Sequence, residues 1–380
     1  MTPTSPGPFD VAIVGAGICG LSHALAAARR GKRVVVFDRD ARANGASVRN
    51  FGFITVTGQQ HGDCWRRARR SRDVWLEISA SARIPVLQRG LLTIARRPEA
   101  RAVLEQFLAT EMGAECELVE PGDIEAYGQG LRADDFAAAL FSPHEIRVES
   151  REAIPRLAAW LGERLGVTFR RETVVRAAAP PRLETSRGIV EAETAIVCPG
   201  DDFHTLHPER IAAYGLTRCK LQMLRLAPDA FDETLPAVMS DLGMIRYLGY
   251  SELPAAAALR ARLEAEQRDH VENGVHLIVV RGADNSLVVG DSHHYAATPD
   301  PFAPAHVDEL ILDEYSHVFA GPTPRIAERW IGTYASAKDR LMLVDAPSDA
   351  LRIVLITSGT GASTSFAIAE EVVADLFGKP

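Results

Sequence analysis

No stretch of this 380-residue chain is apolar for long enough to cross a bilayer as a helix, so no membrane partner is expected. The opening MTPTSPGPFD lacks the basic-then-apolar pattern of a secretory leader, which makes the cytoplasm the expected location. Cysteine is scarce. Cys19, Cys64, Cys116, Cys198 and Cys219 are scattered, odd in number and without a CxxC pair, so neither a disulfide scaffold nor a metal site is expected. An excess of positive charge is also missing. The net charge of −8 argues against nucleic acid as the partner. The one basic cluster, Arg66, Arg67, Arg69, Arg70 and Arg72, alternates with Trp65, Ala68, Val74 and Trp75 at helical spacing and reads as a solvated helix face. No Ser-His-Asp or HExxH pattern offers hydrolytic chemistry. The length exceeds what one hydrophobic core usually organises, so two domains are expected.

What is present begins with VAIVGAGICGLSHALAAARRGKRVVVFDRD. Val11 to Val14 reads as a buried strand. Gly15, Gly17 and Gly20, interleaved with Ala16, Ile18 and Cys19, fit GxGxxG. The first glycine permits the tight turn, the second lets backbone approach a pyrophosphate, and the third lets the helix pack on the strand. Leu21 to Arg30 continues as helix, Gly31 stops it, and Val34 to Phe37 is a second strand ending at Asp38. An acid at that distance is placed to accept from a ribose 2′-hydroxyl. This unit suits NAD or FAD. Asp38, followed only by Arg39, leans away from NADP.

Nucleotide-like features return later. A helix from Ser150, a candidate N-cap, to Leu165 stops at Gly166 and is followed by a strand in VTFRRETVVRA. Thr194 to Cys198 forms another buried strand before the Pro199-Gly200 turn. The chain closes with a strand, Ile353 to Ile356, a turn at Gly359 and Gly361, and a long amphipathic helix. The N-terminus of such a helix suits the anionic edge of a reduced flavin. Taken alone, the unit reads equally well as an ordinary terminal strand–helix pair.

These segments together resemble the FAD-dependent D-amino acid oxidase superfamily, which includes glycine oxidase and sarcosine oxidase. The resemblance runs through GAGICG with Asp38, NGASVRNFG, Val148 to Val175, AIVCPG, ERWIGTYASAKDRLMLV and TSGTGASTSFAIAEE. It implies that the first segment binds the ADP half, with Ser47, Arg49, Asn50, Pro199, Gly200 and Gly332 also against the cofactor. The backbone of Val174 or Val175 would hold the adenine, and Ser358, Gly359, Thr360, Gly361, Ala362 and Ser363 would cradle the isoalloxazine ring. The implied fold is an α/β Rossmann-like FAD-binding domain, residues 8–84, 146–219 and 323–380. A second α+β substrate domain, residues 85–145 and 220–322, would roof the flavin with a mostly antiparallel sheet.

One departure concerns the substrate. Members acting on α-amino acids usually carry Gly-x-Arg-Pro near the C-terminus, and the arginine forks onto the carboxylate. Here Gly332 is followed by Thr333, Tyr334 and Ala335. Sarcosine oxidases attach FAD through a cysteine in this region; none follows Cys219, so FAD should be bound non-covalently. ASVRNFG and TSGTGASTSFAIAEE resemble a bacterial subgroup associated with phosphonate catabolism, which oxidises small aminophosphonates such as N-methyl-2-aminoethylphosphonate. FGFITVTGQQHG stands where that subgroup has an aromatic-proline run.

The expected partners are therefore a small amine and dioxygen as acceptor, and the products an imine and hydrogen peroxide. The anion would need donors among Arg49, Asn50, Arg246, Tyr247, Tyr250, Arg281, His293, His294, Tyr334 and Lys338, with Arg49 first choice and Arg246 second. Adjacent His293 and His294 cannot both face the site. Lys338 is the candidate for assisting oxygen, although a turn lysine also reads as exposed. Oxidation of glycine, sarcosine or a D-amino acid, a dehydrogenase feeding a quinone or a partner protein, and a non-catalytic FAD-binding subunit remain alternatives. Against the last stands a full substrate-domain segment, Gln222 to Phe319.

Overall fold

The computed structural model describes residues 9–378. The leading MTPTSPGP, most of the stretch that lacks a leader pattern, lies outside the described residues. The first sheet is built on Phe9–Val14, which pairs in parallel with Val34–Phe37 on one side and Gly188–Val197 on the other. Thr168–Arg170 extends it in parallel beyond Val34–Phe37, and Leu351–Ile356 beyond Gly188–Val197. Met342–Ser348 closes that edge antiparallel.

The period-two alternation of a strand sorts its residues onto two faces. Val11 and Ile13 pack under the helices Ile18–Arg29, Ser150–Leu165 and Gly361–Phe377. Ala12, Val35 and Phe37 pack on the other face against Val175, Leu183 and Phe203. Both faces are covered, which is why these strands read as continuous apolar runs.

The expected helix ends hold closely. Gly166 closes Ser150–Leu165 in the left-handed conformation at φ 68°, but Glu149 rather than Ser150 is the N-cap. VTFRRETVVRA is two strands rather than one. Glu172 turns left-handed at φ 51°, Thr168–Arg170 stays with the first sheet, and Val175–Ala179 starts a hairpin with Arg182–Thr185. The arginine-rich helix, Asp63–Ser79, does bury Trp65, Ala68, Val74 and Trp75. Its polar face is not merely solvated, since Arg67 and Arg70 reach Glu371 and Glu370 of the last helix at 2.8 and 2.7 Å.

The second sheet centres on Thr217–Ala227, paired antiparallel with Arg325–Ser336, Leu287–Gly290 and His294–Ala296. It continues through Ile278–Arg281, Ala237–Met239, Gln88–Ala95 and Ala138–Arg147 to Phe53–Ile54, and only the Ala237–Met239 with Gln88–Ala95 pairing is parallel. Within segment 323–380, Arg325–Ser336 joins this sheet, whereas Met342–Ser348 and Leu351–Ile356 belong to the first sheet. Leu224 and Leu226 face a core under the helices Pro98–Leu108 and Ala305–Val318. Cys219, Leu221 and Met223 alternate to the opposite face, which looks toward the first sheet together with Phe51, Tyr247 and Tyr334.

Candidate active site

A cavity of about 550 Å³ lies between the two sheets, at the carboxyl ends of the parallel strands, where Val14, Phe37, Val197 and Ile356 reach it. Ligands of open parallel sheets bind at that end. At Gly15, φ is +104° and an added Cβ would stand 2.3 Å from the Cys198 carbonyl oxygen. At Gly20 it would stand 1.8 Å from the Gly15 oxygen, so only a hydrogen lets the helix Ile18–Arg29 start so close to the strand. Ser47 caps this start by accepting from the Ile18 N–H at 2.9 Å. Gly15, Gly17, Ile18, Cys19, Gly20 and Ser47 line the cavity. Ala16 does not, being fully buried, and it serves only through its N–H, which donates to Asp38 Oδ2 at 2.7 Å. That bond and one from the Asp40 N–H at 2.9 Å fix the Asp38 carboxylate at the cavity edge.

Arg39 lines the same end and pairs with Asp202 at 2.8 Å. Val174, Val175, Pro199 and Gly200 complete it, with both backbone groups of Val174 engaged by Ser186. Beneath it the scattered cysteines partly converge. The Cys19 and Cys198 sulfurs lie 3.9 and 3.8 Å from Nδ1 of buried His23. Hydrogen bonding from Cys198, with burial opposing it and His23 assisting, lowers the Cys19 thiol well below the usual cysteine range.

The closing turn, Ser358 to Ser363, lines the middle of the cavity and leads into Gly361–Phe377. The first N–H groups of that helix have no partner within it and face the cavity with the positive end of its dipole. Gly332 stands opposite, against the Arg49 carbonyl. Arg49 lines the cavity, but its guanidinium is turned to the Ile331 carbonyl at 3.3 Å and Asn44 at 3.2 Å. Asn50 also lines it, yet its amide is consumed by Ala46, Gly52 and Ser150 and shapes the loop.

The far end holds Arg246, Tyr247, His293 and Tyr334, all from the expected set. Arg246 donates to the Tyr295 hydroxyl at 2.7 Å. Burial works against its charge, but Tyr334, Tyr295 and Asp291 outweigh that and hold it firmly protonated. Burial keeps the Tyr334 phenol neutral.

Two expected residues are elsewhere. Tyr250, three positions after Tyr247 on the short helix Leu248–Ser251, points the other way, and its ring packs 4.7 Å from Phe107 in the core. Lys338 is exposed on the turn after Arg325–Ser336 and does not reach the cavity. His294 turns to Asn273 and Arg281 to Leu87 and Asn285, so of the two adjacent histidines His293 is the one that faces in.

Sequence reasoning missed His276, Asp291 and Tyr295. Asp291 and His276 are polar residues flanking apolar strands, in VVGDS and GVHLIVV, and that was the available signal. His276 Nδ1 lies 3.1 Å and His293 Nε2 3.7 Å from the Asp291 carboxylate, with all three side chains buried. Burial pushes Asp291 up to about 8, partly offset by Arg246. Burial and then Arg246 push both histidines well down, so they are neutral.

The glycine cradle that any side chain would fill, the fixed acid and two helix starts facing one cavity fit a dinucleotide flavin. Residues 10–376 match the family model described as FAD dependent oxidoreductase (DAO). The structure is similar to glycine oxidase from Geobacillus kaustophilus, with a TM-score of 0.78 and 18% identity over 98% of this chain and 95% of that one. It is similar to L-proline dehydrogenase from P. horikoshii, with a TM-score of 0.79 and 17% identity over 99% and 95%. Iminodiacetate oxidase from Chelativorans sp. BNC1 gives a TM-score of 0.72 and 18% identity over 97% and 96%. No curated protein matches the sequence. With its α/β fold, its cavity and a family match spanning nearly every residue, the chain belongs to the DAO family of FAD-dependent oxidoreductases and is an enzyme of that class.

Proposed function

We propose that the protein oxidises a small amine carrying an anionic group, and that the anion is a phosphonate. The observation that carries this reading is the placement of cation and donors at the substrate end. Tyr334 stands where a carboxylate-forking arginine is expected, and the nearby cation, Arg246, comes from another segment with one donor committed to Tyr295. A planar carboxylate is best held by an uncommitted guanidinium fork. A tetrahedral phosphonate has three oxygens and suits single donors from several directions, as Arg246, Tyr295 and Tyr334 supply.

When bound, FAD supplies the two-electron acceptor for a hydride leaving the carbon beside the substrate nitrogen. In this reading the electrons pass on to dioxygen, and the imine takes up water and separates into aldehyde and amine. The protein's own part is positional. The glycine turn, Asp38 and the start of Gly361–Phe377 hold the cofactor, without a covalent bond. The second sheet closes over the reacting carbon, and Arg246 fixes the anion so that this carbon faces the first sheet.

The similar structures named as a glycine oxidase, an L-proline dehydrogenase and an iminodiacetate oxidase favour a second reading, an amino acid substrate. Anaerobic bleaching of the flavin, followed by steady-state kinetics, separates the two. N-methyl-2-aminoethylphosphonate should give a higher kcat/KM than N-methylglycine or glycine. The reverse order refutes the phosphonate and leaves amine oxidation standing. Bleaching by no amine refutes both. Peroxide release in air distinguishes an oxidase from a dehydrogenase.

A further inference from the structure

We infer that His276, Asp291 and His293 form the receptor for the substrate's ammonium group, and that Asp291 takes the proton which the nitrogen must lose before hydride transfer. The inference rests on the amine reading proposed above and adds the group that handles the nitrogen.

Three observations carry it. First, the ligand atoms of the three side chains lie within 4.8 Å of one another, and each residue borders the cavity that holds Arg246. Second, Nε2 of His276 is buried without a hydrogen-bond partner, and Nδ1 of His276 and Oδ1 of Asp291, 3.1 Å apart, have no partner beyond each other. Buried polar atoms are nearly always paired, so a cluster of orphans beside a cavity marks the place of an absent donor. An ammonium brings two or three N–H donors to meet a carboxylate and two imidazoles that can accept. Third, the cluster lies on the Arg246 side of the cavity, close enough for each charge to act on the other. An anion on Arg246 and a cation on Asp291 would orient a short zwitterion.

Burial also decides where the ammonium proton goes once the substrate is bound. The groups facing Asp291 are His276, from the segment before Ile278–Arg281; His293, two residues on; Arg246 and Tyr247, from the turn that precedes Leu248–Ser251; and Cys219, from Thr217–Ala227. Of these only Arg246 is charged, and in the complex the substrate anion occupies it. An ion pair in such surroundings is costly relative to the neutral pair. The ammonium N–H bond therefore breaks, its electron pair stays on nitrogen, and an O–H bond forms on Asp291. Total charge is unchanged. The nitrogen now holds the lone pair that expels hydride from the adjacent carbon, and the carboxylic acid returns its proton to water after product leaves. Asp291 must be a carboxylate to take this proton, so with its pKa pushed up to about 8 the wild type should gain activity as the pH rises past that value; as a base it is then better matched to an alkylammonium at ~10 than an ordinary carboxylate at ~4. A divalent metal is the competing occupant of this donor set, and the Arg246 charge beside it opposes that.

The test uses the FAD-loaded full-length chain carrying Asp291→Asn. Turnover of N-methyl-2-aminoethylphosphonate, or of whichever amine bleaches the flavin fastest, is followed from about pH 6 to about pH 10. Binding of the nitrogen-free anion ethylphosphonate is read from the flavin spectrum. We expect kcat/KM to fall on the order of 100-fold at neutral pH and to recover as the pH approaches the amine's own pKa. Ethylphosphonate affinity should change less than about twofold, because Asp291 acts on the nitrogen alone. An unaltered profile, or a pH-independent loss shared with ethylphosphonate, overturns the inference. If Asp291→Asn does not fold with FAD, His276→Gln takes its place, with a raised amine KM and unchanged ethylphosphonate affinity expected and any other split refuting. One equivalent of cobalt(II) or zinc that the wild type needs for turnover and that His276→Gln fails to bind would also overturn it. Failure of the amine reading shows separately, as a wild type bleached by no amine, and the inference falls with it.

Discussion

Replacing Arg246 by methionine keeps much of the apolar stem and removes the cation. In the structure the guanidinium donates to Tyr295 at 2.7 Å and stands 6.0 Å from the centre of that ring, with the cavity on its other side. A hydrogen bond to a charged group is worth about 1.5–3 kcal/mol, and 1.4 kcal/mol is about a factor of ten. Loss of the substrate anchor should therefore lower kcat/KM for an anionic amine by about 10- to 150-fold and weaken ethylphosphonate by a similar factor. A neutral amine of the same length should lose far less. The histidines supply a second signature. Burial, and then Arg246, hold His276 and His293 down, so removal of the cation lets both rise. A protonated imidazole beside Asp291 would repel the substrate ammonium, so the acid limb of the kcat/KM profile should move to higher pH in Arg246→Met. Arg246→Lys should restore part of the affinity, since it returns the charge without the fork. Steady-state kinetics with the two amines, with ethylphosphonate as competitive inhibitor, decide the matter. Equal loss for the neutral and anionic amines would refute an anion site at Arg246 and point to damage in the fold around it.

Gly20→Ala places a Cβ against the backbone oxygen of Gly15, which cannot swing aside, so the helix start must shift. A loss of about 1–3 kcal/mol in stability is expected together with lower flavin content per chain, and an unchanged melting temperature and flavin absorbance would show that the helix has room. Asp38→Ala should weaken FAD by about 1.5–3 kcal/mol through lost charged hydrogen bonds, measured as Kd by fluorescence titration. Asp38→Asn, which keeps an acceptor for the Ala16 N–H, separates ribose binding from turn support, and full affinity in both variants means the ribose is held elsewhere.

The cofactor end was legible because its determinants are local. A strand, three glycines, a helix and an acid follow one another, and each is required by the backbone at its own position, as the contacts at Gly15 and Gly20 show. Even the ends of Ser150–Leu165 could be read from its pattern and its closing glycine. The same locality explains the error at VTFRRETVVRA. The break falls in the polar run Arg170 to Thr173, but a non-glycine residue in a left-handed turn, Glu172, carries no turn signature of its own that would mark two strands there. The substrate end was legible only in part. Arg49 was preferred over Arg246 because it sits in a loop expected to reach the flavin, but its guanidinium is turned to the Ile331 carbonyl and Asn44. Tyr247 and Tyr250 looked alike in sequence, and a short helix sends one to the cavity and the other to the core.

The two ends of the cavity differ in kind, and that difference sets what a sequence can reveal. At the end lined by the glycine turn the cavity presents backbone and helix starts, so the code lies in which positions must lack a side chain. At the far end it presents side chains that strand pairing brings together. His276 precedes the strand Ile278–Arg281 and Asp291 follows Leu287–Gly290; just beyond the ladder between those strands the two residues exchange backbone hydrogen bonds at 3.1 and 2.9 Å, which sets them side by side. Tyr334 reaches the same space because Arg325–Ser336 pairs with Thr217–Ala227, which in turn pairs with Leu287–Gly290. None of these registers is written in a local motif. A shift of one residue in the Ile278–Arg281 ladder would turn its alternation over and break the meeting of His276 with Asp291, while the glycine turn remained intact. In the function proposed here, specificity thus rests on sheet register, and the capacity to hold the flavin on the short strand–turn–helix unit near the start of the chain.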